Sequence, residues 1–150
     1  MEVPPEKRFG MVVPALFENI GRIAKAVDKK FGVEGRNLLR QVMSERGSEM
    51  GKGMKPMSPS EDFKSVGTFF AGIVKVFGVE NEVEVKENEV LIKIPKCPYG
   101  LENTSRELCE ALMALDARAI GTLGPNVTME ITKTVAVGDP QCEMSIKPKR

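Results

Sequence analysis

The chain holds three cysteines, Cys97, Cys109 and Cys142, and no histidine. Without imidazole, the commonest general base and the commonest metal ligand are both missing. Nucleophilic or metal chemistry must therefore rest on thiolates, carboxylates or lysines. Three thiolates converging on one point would hold a zinc ion, with a fourth position for water or a carboxylate such as Asp139. The cysteines lie 12 and 33 residues apart and no Cys-x-x-Cys occurs, so the spacing alone is not a metal signature. An iron–sulfur cluster would need a fourth cysteine. Cys97 is the best candidate nucleophile, because its place between Lys96 and Pro98 predicts an exposed loop and the lysine favours the thiolate. Asp139, Glu143 or Lys96 would then have to serve as base. Tyr99 and Asp139 are the candidate ligand-binding residues. Each residue also has a plainer reading. Free cysteine packs as a small hydrophobe, Cys142 shares strand parity with Met144 and Ile146, and Cys109 lies beside the stripe of Leu108 and Leu112. Gly138-Asp139-Pro140 is ordinary turn chemistry.

The elements that must position these residues fall into a helical half (about 11–78) and a mixed half (about 81–147) of one expected domain. Val13, Leu16, Phe17, Ile20, Ile23 and Val27 recur at helical spacing, with Pro14 in the first turn and Gly32 at the end. A second helix is expected over 34–49, with Leu38, Leu39, Val42 and Met43 on one side. Two glycines and a proline make 50–57 a loop, whose methionines would suit a lid over an apolar ligand. Ser58-Pro59-Ser60-Glu61 then predicts a capped helix start, continued by Phe63, Val66, Phe70, Ile73 and Phe77 and stopped by Gly78. The period changes to two at Val83 and Val85 and again at Val90, Ile92 and Ile94, which predicts a hairpin. A helix capped by Asn103 or Thr104 presents Leu108, Leu112, Leu115 and Ala119, and is terminated by Gly121, Gly124 and Pro125. Two further strands follow, one from Val127 towards Val137 and one through Cys142, Met144 and Ile146. The fold class is therefore α+β: an antiparallel sheet of about four strands, two hairpins flanking a helix, with N-terminal helices packed on one face.

Composition bounds the partners. With 150 residues the chain fits one domain able to bury about two thirds of its unfolded surface. A net charge of +1 gives no reason to expect nucleic acid or an anionic membrane as the main partner. No apolar stretch approaches the roughly 20 residues of a membrane span. Residues 1–8 lack the apolar segment of a signal peptide, which points to the cytosol and reduced thiols.

Cys97-Pro98, Leu108-Cys109 inside a helix, and the ending Gly138-Asp139-Pro140-Gln141-Cys142-Glu143-Met144 carry a family resemblance. Over roughly residues 83–147 the chain resembles the small cysteine-bearing domains grouped with the 4-vinyl reductase domain and with aminothiazoline-carboxylate hydrolase-like proteins. The resemblance implies an α+β fold shared with subunits of the TRAPP transport particle. It also implies small, often aromatic or hydrophobic ligands, a cysteine metal site in some members, and frequent dimers. One departure is clear: Ile131 and Thr134 stand where the 4-vinyl reductase pattern has a glutamate and a further cysteine. The hydrolase-like relatives imply hydrolysis of a small cyclic amino-acid-like substrate. Three functions are thus in view: a cytosolic small-molecule or metal-binding domain, with zinc as the implied metal; a small hydrolase; and a non-catalytic dimerisation or adaptor module. A homodimer through the helical half is the expected self-association.

Overall fold

The periodicities of the sequence are realised in a computed structural model that describes residues 2–150; Met1 lies outside them. The longest element, α1 (Pro5–Met54), starts with Pro5, whose missing N–H has no helical partner to lose there. Gly32 (φ 56°, ψ −128°) breaks α1 into limbs 5–31 and 33–54. The positive φ is accessible to glycine without a Cβ clash. The limbs fold back on each other: Arg36 Nη1 meets Asp28 Oδ1 at 2.6 Å, and a Cβ on Gly35 would lie 2.7 Å from the Val27 carbonyl oxygen.

Three expectations for this half are corrected. The helix begins well before Val12, so Pro14 stands inside it rather than in the first turn and removes one backbone hydrogen bond. Leu16, Ile20, Ile23, Leu38 and Val42 are exposed, and the inner seam is made instead by small residues, Gly21 and Ala24. The segment from Met50 is not a loop. Helix continues to Met54, and a 3-10 turn follows over Lys55–Met57. Close packing overrides the low helix propensity of glycine here: a Cβ on Gly47 would sit 2.2 Å from the Leu115 carbonyl oxygen, and one on Gly51 2.6 Å from Thr122 Cβ.

Helix α2 (Phe63–Val76) starts later than the Ser58 signal suggested. Asp62 is its cap, accepting from the backbone N–H groups of Lys64 and Ser65, each at 3.0 Å. Glu61 instead pairs with Lys55 Nζ at 2.8 Å. Strands β1 (Glu82–Val85) and β2 (Val90–Ile94) form the expected hairpin. Helix α3 (Arg106–Leu123) is capped by Ser105, which accepts from Leu108 N–H at 3.1 Å. Neither Asn103 nor Thr104 caps it: Asn103 has a φ of 59°, and the Thr104 hydroxyl donates to the Leu101 carbonyl at 2.6 Å. Gly121 lies within α3, and Gly124 ends it. Strand β3 (Val127–Lys133) is shorter than expected, since Val135–Val137 winds into a 3-10 turn, and β4 (Cys142–Pro148) closes the chain.

The four strands run antiparallel in the order β1-β2-β4-β3. Val90, Ile92, Ile94, Met144 and Ile146 share one sheet face and pack against Val66 and Phe70 of α2 and Ala119, Ile120 and Leu123 of α3. The other face carries ion pairs such as Lys93–Glu84 at 3.0 Å and Lys147–Glu130 at 2.6 Å. α1 forms an outer layer on α3. A second core cluster gathers Ala24, Tyr99, Leu101, Leu108, Cys109, Leu112 and Ala136, with Phe17, Leu39 and Met43 against it. No helix among the described residues is long and apolar enough to cross a membrane.

Candidate functional site

The two core clusters do not close on one another. Between them lies a cavity of about 760 Å³, bounded by both limbs of α1, by α2, by α3 and by the sheet. Its walls are mostly apolar: Val13, Phe17, Met43, Met50, Phe70, Ile73, Val74, Ile94, Leu101, Met113 and Met144 all contribute. Phe9, Leu16, Val76 and Phe77 line it too and are themselves exposed, so the mouth lies between the start of α1 and the end of α2.

The sequence-predicted cysteines meet at this cavity. Cys97, Cys109 and Cys142 all line it, and a charge on one raises the pKa of its neighbours. Cys97 is not an exposed loop thiol, however. It is only 8% exposed, because the loop after β2 turns back under α1, where Gly21 has no side chain to hold it off. Burial pushes its thiol up, partly opposed by the backbone N–H groups of Leu101 and Tyr99. Burial likewise pushes Cys109 up to about 11, against the Thr134 hydroxyl, which donates to its sulfur at 3.3 Å. Thiols so placed are held protonated at neutral pH and are poor resting nucleophiles.

Among the described residues no group of three or more histidine, cysteine, aspartate or glutamate side chains is placed to hold a metal ion. Asp139, the carboxylate considered as a fourth ligand and as a ligand-binding residue, does not line the cavity. Its Oδ2 accepts from the Thr134 backbone N–H at 2.8 Å, which is turn chemistry. Glu143 points away as well: it accepts from the Thr132 hydroxyl at 2.8 Å and lies 3.8 Å from Lys133 Nζ. Tyr99 does line the cavity, its ring edge-on to Phe17 with centroids 5.3 Å apart. Burial raises the pKa of its phenol, followed by the nearby charges of Asp116, Cys97 and Cys109.

Asp116 is the residue that the sequence reading passed over. It lines the cavity from the middle of α3, and burial alone lifts its carboxyl from 3.8 to about 7. Asp116 is half-buried and its residue forms part of the cavity lining. A signal was present. Asp116 falls among Leu112, Leu115 and Ala119, a charged residue on the apolar stripe of an otherwise ordinary amphipathic helix.

Residues 15–146 match the family described as L-2-amino-thiazoline-4-carboxylic acid hydrolase. The chain belongs to this family. No curated protein matches the sequence. Two solved structures have the same fold at low identity. A trafficking protein particle complex subunit 3 from Naegleria fowleri, covalently bound to palmitic acid, superposes with a TM-score of 0.68 at 17% identity, covering 92% of this chain and 95% of that one. The phenol-responsive sensory domain of the transcription activator PoxR, with phenol, superposes with a TM-score of 0.60 at 14% identity, covering 88% of this chain and 74% of that one. The matched family bears out the hydrolase-like part of the resemblance read from the cysteine motifs.

Proposed function

We propose that this protein binds a small, mainly apolar molecule in the cavity between α1, α2 and the sheet. The observation that carries this reading is the cavity itself, whose volume of about 760 Å³ falls in the range of roughly 300–1,000 Å³ typical of ligand sites, with few polar groups among apolar walls. Two proteins of the same fold hold phenol and palmitic acid, which supports an aromatic or aliphatic ligand and a kinship with 4-vinyl reductase domains. We place the protein in the cytosol on the same reading, where the three thiols stay reduced.

Isothermal titration with phenol-sized aromatics and with aliphatic alcohols of graded length tests the proposal. One saturable site per chain is expected, with a negative heat-capacity change from buried apolar surface. Heats that never saturate across both series contradict it.

Self-association belongs to the proposal. Phe9, Val12, Leu16, Ile20 and Ile23 stand exposed along one limb of α1, an apolar row that suits a helix-to-helix homodimer better than bare solvent. Sedimentation at tens of micromolar that returns a monomer would count against the dimer and leave the cavity reading intact.

A second reading has its own support. The matched family is described by a hydrolase activity, and the cavity combines thiols with a buried acid. Hydrolysis of a small cyclic amino-acid-like substrate would use Cys97 as nucleophile and Asp116 as proton acceptor. If Cys97→Ala leaves turnover of cyclic amidine or thiazoline carboxylates unchanged, the nucleophile is not Cys97.

A further inference from the structure

Six ionisable side chains line the cavity: Arg46, Cys97, Tyr99, Cys109, Asp116 and Cys142. Arg46 is spoken for, since its Nη1 pairs with Glu49 Oε2 at 3.1 Å on the exposed surface. Cys109 accepts from the Thr134 hydroxyl. Asp116 differs from both. Among the described residues no donor reaches its carboxylate and no cation pairs with it. Tyr99 stands near it, close enough that the Asp116 charge bears on the phenol.

The lining of a largely apolar cavity therefore carries a carboxyl without a partner and a phenol near it, while its one cation, Arg46, is paired with Glu49. Burying a carboxylate in apolar surroundings is costly unless a counter-charge and hydrogen-bond donors meet it. A ligand carrying those donors would remove the cost, whereas a ligand carboxylate would meet like charge. Resting on the ligand-binding reading above, we infer that the cavity is selective for an apolar molecule bearing a protonated nitrogen, an amine or amidine, held by Asp116 with Tyr99 beside it. The apolar body then lies towards Phe9, Val76 and Phe77 at the mouth.

The test is displacement of N-phenyl-1-naphthylamine, a neutral apolar fluorophore, by dodecylamine and by dodecanoate at pH 8.5. The two competitors share a chain length and differ in the sign of the head. Dodecylamine is expected to displace the probe at a concentration about tenfold lower than dodecanoate. In Asp116→Asn, a near-isosteric change, the difference should vanish while the probe itself still binds. Equal displacement by both heads in the wild type overturns the inference, and so does a preference that survives in Asp116→Asn; either result leaves the cavity as an unselective apolar site. If the probe finds no saturable site in the wild type, the ligand-binding reading falls and this inference falls with it.

Discussion

Asp116→Asn should stabilise the protein, and by an amount that grows with pH. In the folded chain the carboxyl titrates at about 7 against an ordinary 3.8, and burial is the only cause. The folded state therefore binds more protons than the unfolded state between those values, so stability falls as pH rises through that window. The cost is absent below about pH 4 and complete above about pH 7. Each unit corresponds to about 1.4 kcal/mol, so the two units from pH 5 to pH 7 cost at most about 2.7 kcal/mol. Asparagine does not titrate and escapes that term. Urea unfolding of both proteins at pH 5, 6, 7 and 8 is the assay, with m-values compared to check that the unfolded states match. The variant's advantage should widen by about 1–3 kcal/mol from pH 5 to pH 7 and then stay level. An advantage that does not change with pH, or that shrinks as pH rises, would refute the claim that burial holds this carboxyl up.

Other perturbations follow from the geometry. Gly47→Ala places a Cβ 2.2 Å from the Leu115 carbonyl oxygen, and the resulting strain between α1 and α3 should cost about 1–3 kcal/mol in urea unfolding. Ser105→Ala removes the α3 cap and should cost about 1 kcal/mol by the same measurement. Cys97 and Cys109, buried and held protonated, should react with an aromatic disulfide reagent far more slowly in native protein than in 6 M guanidinium, and more slowly still with the cavity filled. Protein purified without chelator should carry much less than one zinc per chain. Stoichiometric zinc released by thiol modification would mean that the three sulfurs approach more closely than the structure places them.

The strands were legible from their period of two: Val90, Ile92 and Ile94 point inward while Lys93 points out, and Val83 and Val85 keep the alternation although β1 is exposed throughout. The helical hairpin was legible at Gly32, where a glycine follows an apolar stripe. Its far end was not. Gly51 and Gly53 read locally as breakers, and the approach of α3 to Gly47 and Gly51 is what the local sequence does not show. The direction of the α1 stripe was equally hidden, because helical spacing shows that Leu16, Ile20 and Ile23 share a side without showing what lies opposite. The three cysteines lie near the ends of β2, α3 and β4, and the fold brings those element ends to one cavity wall. A turn aspartate three residues from a cysteine, such as Asp139, looks like chemistry, whereas a helical aspartate such as Asp116 is usually solvated. What sets Asp116 apart is the surrounding burial, a property of α1, α3 and the 97–101 loop together.

The central question is whether the cavity between the two core clusters takes an apolar molecule. Titration of N-phenyl-1-naphthylamine into the wild type and into Cys142→Phe tests this, since Cys142 lines the cavity and is only half-buried, so the larger ring would fill space that the ligand needs. The account predicts one saturable, blue-shifted site per wild-type chain and its loss in a variant whose circular dichroism is unchanged. Fluorescence that rises without saturation in the wild type, or an equal site in the folded variant, would contradict it.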